Sequence, residues 1–373
     1  MSPGAPVRPA GVMEDVAACA LCGGRERTPF EDYRTAGETF PLVECAACGL
    51  AYLARRPREA DMPAWYDLAY NARHGLYRDP AWRRPLYALL RALLRLRYEG
   101  GDAARLWVRR LAWPWERKWR RILATHRMER ITRIGAVLDV GCGRGAWLAA
   151  MRRWGFRCHG VEPSAEACAR ARELGLDVAC GQLWDAGYPD ACFDVVRFNH
   201  VLEHLHDPGR ALAEARRVLR PGGILIVAVP NHAGIARQAF RQAEDVPFHL
   251  FAFTPPTLER FLTAAGLEVL ELRTQTPHPF NVYAHFLSHA RRMLAGAPPA
   301  VREGAEAFLS SENPARAREF APLAAFFDSV GLGTDIVALC APAPPGARPA
   351  ADGEAGVRIL QSFPREPSDA GSV

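Results

Sequence analysis

The segment Asp139–Leu148, DVGCGRGAWL, places three glycines between an apolar run and a pattern of helical period. The apolar run at residues 136–140 predicts a buried strand, and the residues after the glycines predict a helix. Glycine has no Cβ, so this turn can bend sharply and let a ligand approach the backbone. A glycine-rich turn between strand and helix is a candidate cofactor site, although a lone G-x-G-x-G can also be a plain connection.

Residues 134–343 alternate predicted strands with predicted helices. After the first strand, further strands are predicted at residues 158–164, 177–182, 193–205, 222–231, 267–274 and 334–341. Such alternation predicts an α/β fold with a doubly wound, mostly parallel sheet. Ligands of these sheets bind at the carboxyl ends of the strands, which is where the glycine turn lies.

An acidic residue, Glu162, follows the second predicted strand, nineteen residues after Gly143. A carboxylate in this place can accept hydrogen bonds from both hydroxyls of a ribose. The loop differs from the dinucleotide pattern G-x-G-x-x-G, and it lacks the Lys-Ser/Thr pair that holds a nucleotide phosphate. The pattern therefore disfavours a dinucleotide or a nucleotide phosphate as the ligand.

Taken in order, these motifs resemble those of the class I S-adenosylmethionine (SAM)-dependent methyltransferases. VLDVGCGRGAWL resembles the first motif of that family, GVEPS its ribose-binding acid, FDVVRFNHVLEHLHDP its fourth strand, and LRPGGILIVAVPN its fifth strand with the preceding turn. The last predicted strand, 334–341, is similar to the family's added antiparallel seventh strand. The resemblance covers residues 134–343 and implies a seven-stranded Rossmann-like methyltransferase sheet that binds SAM.

The resemblance also implies how the cofactor is held. Gly141 and Gly143 would let the backbone approach the amino-acid end of SAM, with Asp139 close to its ammonium group. Glu162 would bind the ribose hydroxyls. Where many relatives have an acid for the adenine amine, this chain has Gln182, so an amide or the backbone would serve instead. The candidate cofactor-binding residues are Asp139, Gly141, Cys142, Gly143, Gly145, Glu162, Gln182 and Asn199.

Three histidines and a glutamate cluster in FNHVLEHLHDP, residues 198–208. The H-x-x-E-H spacing of His200, Glu203 and His204 occurs in one group of zinc proteases, but it requires a helix through His200, where DVVRF predicts a strand. Three alternatives stay open. His200 can be a general base, the three residues can hold a metal as in quinone-pathway O-methyltransferases with E-x-x-E-H here, or the segment is structural, with Asp207 capping the next helix.

Two further histidines follow the fifth predicted strand, His232 in VPNHAG and His249 in DVPFHLFAF. Both are predicted to line the acceptor side of the site, although a lone histidine is often structural. His249 before an aromatic pair resembles a segment of relatives that methylate small or glycan-linked acceptors. The candidate catalytic residues are His200 (the preferred base), Glu203, His204 and His249.

Four of the ten cysteines form two C-x-x-C-G pairs near the amino terminus. Between the pair Cys19/Cys22 and the pair Cys45/Cys48 lie 22 residues, a spacing typical of tetrahedral zinc–thiolate sites, with iron or a redox pair as alternatives. Four thiolates close such a site, so the zinc is predicted to be structural, in a zinc ribbon over residues 13–60. The other six cysteines lack this spacing and are expected to be core or incidental.

Residues 61–133 are predicted to be a basic helical cap. Within residues 73–130, fifteen arginines and one lysine face five acids, whereas the whole chain has a net charge of +6. Leucines at helical spacing with arginines between them predict amphipathic helices, which Pro114 kinks or splits. These helices can pack on the catalytic domain, contact an anionic membrane through residues 81–125, cover the acceptor site and recognise a phosphate, or bind RNA.

The remaining features predict where the protein resides. No run of about eighteen apolar residues indicates a transmembrane helix, and the first residues lack the apolar core of a signal peptide. We therefore expect a cytoplasmic protein, with peripheral contact at the inner membrane face as an extension. Residues 283–330 are predicted to be a helical insertion. Residues 344–373 are predicted to be a disordered tail, because their Pro, Gly and Ala offer little apolar area.

The sequence thus predicts an enzyme that transfers a methyl group from SAM to an oxygen or carbon of a small-molecule, sugar or glycan-linked acceptor. A zinc module before this fold resembles the sugar C-methyltransferases of deoxysugar pathways, which favours a sugar or glycan precursor. One alternative is an RNA methyltransferase, but nucleic acid is disfavoured because the fourth strand ends in FNHV and lacks the Asn/Asp-Pro-Pro-aromatic tetrapeptide of amine methylators. The other is a non-catalytic methyltransferase-like scaffold.

Overall fold

The structure is a computed structural model that describes residues 11–62, 64–65, 84–111, 113–238, 245–276 and 320–344. Most of the predicted insertion at 283–330, and the predicted tail after residue 344, lie outside the described residues. Among the residues that are described, no helix has both the length and the apolar character needed to cross a membrane.

The described strands and helices are numbered here in chain order. The strands are β1 (Met13–Asp15), β2 (Arg27–Thr35), β3 (Glu38–Cys45), β4 (Ala51–Leu53), β5 (Arg55–Pro57), β6 (Ala136–Val140), β7 (Arg157–Glu162), β8 (Asp177–Cys180), β9 (Phe193–Asn199), β10 (Leu219–Pro230), β11 (Phe251–Ala252), β12 (Leu267–Gln275) and β13 (Asp335–Pro342). The helices are α1 (Arg84–Glu99), α2 (Asp102–Leu111), α3 (Trp113–His126), α4 (Ala146–Arg153), α5 (Ala165–Glu173), α6 (Pro208–Val218), α7 (Ile235–Gln238), α8 (Pro255–Ala264) and α9 (Ala321–Ser329).

Seven strands form the central sheet in the order β12-β13-β10-β9-β6-β7-β8. The five strands from β10 to β8 in that order are parallel, and β13 is antiparallel to both of its neighbours. All five residues of β6 are buried, as expected for a parallel strand covered by helices on both faces. The predicted doubly wound seven-stranded sheet with a late antiparallel strand is confirmed.

The fourth predicted strand is shorter than its sequence pattern indicated. The prediction extended to residue 205, but β9 ends at Asn199 and a short 3-10 helix follows at Leu202–His204. His200 has a positive φ of 55°, a left-handed conformation that a strand cannot continue. The histidine cluster therefore lies in the turn after β9, at the carboxyl edge of the sheet.

The cysteine pairs belong to a small antiparallel sheet with the order β11-β4-β3-β2. Its fourth strand, β11, comes from the later part of the chain, and Phe251 pairs with Tyr52. Phe40, Tyr52 and Phe251 are all buried in one hydrophobic cluster. The amino-terminal module and the central domain therefore share a core, which the spacing of sequence motifs did not indicate.

Helices α1 and α3 pack on one face of the central sheet. Leu94, Trp119 and Leu123 are buried in the same cluster as Leu148 and Met151 of α4. Helix α2 ends at Leu111 and α3 begins at Trp113, one residue before Pro114. Proline is tolerated here because the first turn of a helix has no backbone acceptor for its amide. Helices α1 and α3 therefore bury side chains against the central domain, and the cap over residues 61–133 stays a prediction.

Two of the remaining cysteines lie side by side in the structure. Cys168 of α5 is buried in the hydrophobic core, as expected. It is assigned a disulfide bond to Cys180 of β8, with Cα atoms 6.1 Å apart, a pairing that the sequence did not predict. The helix and the strand are neighbours only in the folded chain, so linear spacing gave no indication of the contact.

Candidate functional site

The glycine turn after β6 uses left-handed backbone at all three glycines, with φ values of 67°, 53° and 78° at Gly141, Gly143 and Gly145. A Cβ at Gly141 would lie 2.4 Å from Cγ2 of Val201, and one at Gly145 would lie 2.3 Å from Cδ1 of Leu176. A Cβ at Gly143 would meet nothing within 4 Å. Packing therefore requires two of the glycines, whereas Gly143 faces open space from which a ligand can approach.

Glu162, the last residue of β7, meets this turn directly. Its Oε2 accepts a hydrogen bond from the Gly143 amide at 2.8 Å, and its Oε1 accepts one from the Ser164 amide at 3.0 Å. Burial raises the pKa of Glu162, although these two amides oppose that effect. A carboxylate has about four lone-pair sites. Glu162 is therefore fixed by the backbone and can still accept hydrogen bonds from a ligand.

Asp139, the fourth residue of β6, is buried and its Oδ1 accepts a hydrogen bond from Arg197 Nη1 at 2.9 Å. The Arg197 guanidinium lies 4.6 Å from the centre of the Trp147 ring. The Trp147 indole in turn donates to His126 Nδ1 at 3.2 Å. The predicted cofactor residue Asp139 is thus held in a chain of contacts that reaches the helical cap, and sequence reasoning did not identify its partners.

The other predicted cofactor residues surround the same turn. Cys142 is buried and its amide donates to Val161 O at 3.1 Å. Asn199 ends β9 and is half-buried. Gln182, beyond β8, donates from Nε2 to Glu59 Oε1 of the amino-terminal module at 2.9 Å. The structure therefore brings the candidate cofactor residues to one edge of the sheet, and the module anchors Gln182.

His200 lies between two carboxylates. Its Nδ1 is 3.6 Å from Glu203 Oε1, and its Nε2 is 3.5 Å from Asp335 Oδ2. Burial alone would lower the pKa of His200, but the Asp335 and Glu203 carboxylates raise it to about 10. An imidazolium cannot accept a proton, so a base role for His200 requires that a bound ligand or high pH first removes this proton.

Glu203 is buried, with 1% of its side chain exposed, and its carboxylate is surrounded by histidines. His204 Nε2 lies 3.7 Å from Glu203 Oε1, and the rings of His204 and His249 are 4.8 Å apart. Burial would raise the pKa of Glu203, but the charges of His204 and His200 hold it below its ordinary value. His200, whose pKa is raised, is therefore the cation that balances the buried Glu203 carboxylate.

The structure brings together a different set of candidate metal ligands from the set that the sequence predicted. Donor atoms of Glu203, His204 and His249 lie within 4.8 Å of one another, whereas the sequence-based set contained His200 in place of His249. His204 Nδ1 is already bonded to the carbonyl of Phe248 at 3.0 Å, which orients Nε2 toward Glu203. His232 is buried against Phe30, with ring centres 5.1 Å apart, so its ring packs on the amino-terminal module.

Comparison with known proteins agrees with this geometry. Residues 107–272 match the family model described as a methyltransferase domain. This match, together with relatives named as SAM-dependent methyltransferases, supports a SAM-dependent methyltransferase domain in this region.

A relative from Mycolicibacterium smegmatis named "Probable S-adenosylmethionine-dependent methyltransferase" is 36% identical over 138 residues, which cover 36% of this chain and 52% of the relative. A ubiquinone biosynthesis O-methyltransferase from Caulobacter vibrioides is 38% identical over 104 residues, covering 26% of this chain and 40% of the relative. The chain thus spans about half or less of these relatives. A solved SAM-dependent methyltransferase from Archaeoglobus fulgidus is 17% identical with a TM-score of 0.39, covering 61% of this chain and 98% of that one.

The four cysteines outside the methyltransferase domain converge as their spacing predicted. Sγ of Cys19 lies 3.5 Å from that of Cys48, and Sγ of Cys22 lies 3.5 Å from that of Cys45; all four lie within 4.8 Å of one another. A tetrahedral zinc with Zn–S bonds of about 2.3 Å needs sulfurs about 3.8 Å apart. Burial opposes ionisation, but the backbone amides of Cys48 and Ala47 lower the pKa of Cys45 to about 7. This donor set fits a zinc ion.

Sequence reasoning missed several residues at the edge of the methyltransferase domain. Arg197 could have been found, because a charged residue inside the apolar run DVVRF indicates a specific partner. Asp335 and Arg127 gave no such signal, since both lie beside turns where charged residues are common. The contact of Asp335 with His200 joins strands that are distant in the sequence.

Proposed function

We propose that this protein is a SAM-dependent methyltransferase that acts on an oxygen or carbon of a small-molecule acceptor. The observation that carries the proposal is the hydrogen bond that the Gly143 amide donates to Glu162. It lies at the carboxyl edge of the central sheet, within the residues that match the methyltransferase-domain model. The open face of Gly143 and the lone pairs left on Glu162 suit a nucleoside with a short amino-acid tail.

SAM, when bound, supplies a methyl group on a positively charged sulfur. Gly141 and Gly143 would hold its amino-acid end, Glu162 its ribose, and Gln182 its adenine. The chain's own contribution is mainly positional: it orients the acceptor for in-line displacement and removes the entropy cost of bringing two molecules together. A positioned base adds a factor of about 100 to 10,000 when the acceptor is weakly acidic.

An oxygen acceptor is supported by the names of several relatives, among them the ubiquinone biosynthesis O-methyltransferases. His200 is the candidate proton acceptor, because it lies in the turn after β9 at the carboxyl edge of the sheet. It can act as a base only after a bound ligand or high pH has removed the proton that Asp335 and Glu203 favour. Asp335 would position its ring through Nε2. Sugars and glycan precursors remain within the proposed acceptor class, since a hydroxyl needs the same deprotonation.

The experiment is binding followed by turnover. Isothermal titration of S-adenosylhomocysteine into the purified protein is expected to show micromolar affinity, and Glu162→Gln is expected to weaken it by about tenfold, because a neutral amide presents only one acceptor oxygen. Arg170→Gln, an exposed change on α5, is the control. Methyl transfer from labelled SAM is then measured in fractionated cell extract. Affinity without transfer would favour the scaffold alternative, and lack of affinity would refute the proposal.

We also propose that the cysteine module holds a structural zinc and that the cap contacts an anionic membrane. The cap exposes Leu89, Leu96, Leu106 and Trp107 by 43% to 55%, beside exposed arginines such as Arg95. This combination suits an interfacial helix whose apolar groups enter the headgroup region. Co-sedimentation with vesicles containing phosphatidylglycerol is expected, and replacing Leu106 and Trp107 with alanine should abolish it. Equal recovery with neutral vesicles would refute the electrostatic part.

A further inference from the structure

Arg127 ends helix α3 in an unusual backbone conformation. Its φ is 59°, its amide donates to Ala124 O at 3.2 Å, and the Met128 amide donates to Leu123 O at 2.8 Å. Glycine is the usual residue at such a helix end, because a Cβ makes the left-handed conformation cost roughly 1–2 kcal/mol. Glycine would adopt this backbone conformation at a lower cost, which suggests that the arginine is present for its side chain.

The guanidinium of Arg127 has no hydrogen bond and no ion pair within 4 Å among the described residues, and its Nε is buried. The neighbouring arginines differ, because Arg197 bonds Asp139 at 2.9 Å and Arg273 bonds Glu271 at 2.9 Å. A cation that loses water without gaining a counter-charge is unfavourable. The side chain of Arg127 therefore has an unused capacity to bind an anion.

An ion pair beside Arg127 shows where this segment lies on the sheet, because Oε1 of Glu129 is 3.7 Å from Nη2 of Arg273 in β12. Burial lowers the pKa of Arg127 to about 10; the Asp335 carboxylate opposes this, the Arg273 and Arg197 cations add to it, and Glu129 opposes it. Two of these neighbours belong to the antiparallel end of the sheet, in β12 and β13.

Asp335 connects the surroundings of Arg127 with the candidate base His200. It begins β13 opposite Pro230, the last residue of β10, and it lies 3.5 Å from His200 Nε2. Arg127 follows His126, which accepts a hydrogen bond from Trp147 of α4, and precedes Glu129, which pairs with Arg273 near the end of β12. Arg127 therefore lies at the carboxyl edge of the sheet. The contact between Gly143 and Glu162 lies on the other side of β6.

We propose that Arg127 binds an anionic group, a carboxylate or a phosphate, on the methyl acceptor. The proposal rests on the proposed methyltransferase function and adds a substrate class to it. A guanidinium can donate two parallel hydrogen bonds to either group. Arg197 and Arg273 are paired with carboxylates and add positive potential nearby. Among these three arginines, Arg127 is the one whose guanidinium donors are available to a ligand.

The cofactor carries a carboxylate of its own, and the experiment separates the two sources. Inorganic phosphate is titrated into the full-length protein saturated with S-adenosylhomocysteine, with chloride holding the ionic strength constant. The variants are Arg127→Met and the control Arg157→Met, which removes an exposed arginine at the amino end of β7. The affinity of every variant for S-adenosylhomocysteine is measured separately.

We expect saturable phosphate binding to the wild type, a loss of about tenfold or more in Arg127→Met, and a change within about twofold in Arg157→Met. Affinity for S-adenosylhomocysteine should stay within about twofold in all three proteins. Unchanged phosphate binding in Arg127→Met, or phosphate binding absent from a wild type that binds S-adenosylhomocysteine, would overturn the proposal. A tenfold loss of S-adenosylhomocysteine affinity would overturn it too, by assigning Arg127 to the cofactor carboxylate.

A second variant distinguishes ligand binding from a structural role. Arg127→Gly removes the guanidinium and relaxes the left-handed backbone, so it should lose phosphate binding while its melting temperature stays equal or rises. A lower melting temperature with phosphate binding retained would show that Arg127 is there for the fold. Failure of the proposed function itself would appear differently, as a wild type that does not bind S-adenosylhomocysteine.

Discussion

Replacing His126 with glutamine should remove a specific sensitivity of the fold to acid. His126 Nδ1 accepts a hydrogen bond from the Trp147 indole at 3.2 Å, so this nitrogen must be unprotonated in the folded protein. Burial, followed by the nearby Arg197 and Arg127 charges, lowers the pKa of His126 to about 4. Trp147 also lies under the guanidinium that binds Asp139. Protonation of His126 would therefore loosen the cap beside the cofactor turn.

The magnitude follows from the difference between folded and unfolded pKa values. An unfolded histidine titrates near 6.5, and the folded one near 4, so the unfolded chain binds the proton more readily. The stabilising contribution is complete above about pH 6.5 and is lost as the pH falls toward 4. Lowering the pH from about 7 to about 5 should cost at most about 2 kcal/mol from this residue alone.

The assay is urea unfolding followed by circular dichroism at several pH values. Glutamine offers a carbonyl oxygen to the Trp147 indole and does not titrate, so His126→Gln should unfold like the wild type at neutral pH and be more stable than it in acid. His204 and His206 also have pKa values lowered by burial, but both proteins retain them, and the difference between the two curves isolates His126. Parallel curves from neutral to acidic pH would refute the reasoning.

Three further predictions concern the turn, the candidate base and the cysteines. Gly143→Ala should weaken S-adenosylhomocysteine binding by about tenfold, with a small loss of stability from its positive φ. Gly141→Ala should instead destabilise the fold by about 1–3 kcal/mol, because its Cβ would collide with Val201. Thermal melts and titration calorimetry distinguish the two variants, and equal effects of both would contradict the assignment. His200→Gln should lower kcat by about 100-fold or more with cofactor affinity kept; normal turnover would exclude His200 as the base. Cys45→Ser, or removal of metal by a strong chelator, should lower the melting temperature of the central domain as well as that of the cysteine module, because β11 pairs with β4. Equal zinc content in the wild type and the variant would contradict the zinc site.

Much of the central domain was predictable because its signals are local. An apolar run such as residues 136–140 and a glycine turn impose their conformations on the nearest few residues. Glu162 was predictable because adjacent parallel strands end at the same edge. The end of β9 was predicted wrongly, since the apolar pattern continues to Leu205 and only the left-handed backbone of His200 stops the strand.

The partners of the site residues were not predictable, because they come together only through folding. His249 joins Glu203 and His204 across about 45 residues. Asp335 reaches His200 through the antiparallel placement of β13. Spacing rules describe neighbours along a helix, a strand or a turn, and they contain no information on which distant loops share an edge.

The sequence by itself determined the order of strands and helices, the glycine turn with its acid, and the two cysteine pairs, because each depends on local backbone geometry or on short, fixed spacing. Tertiary structure decided that β11 completes the sheet of the cysteine module and that His200 is held between two carboxylates. It also leaves the Arg127 Nε buried without a hydrogen-bond partner among the residues that the structure describes. These features depend on contacts between distant segments, and the charge state of a buried group is set by those contacts.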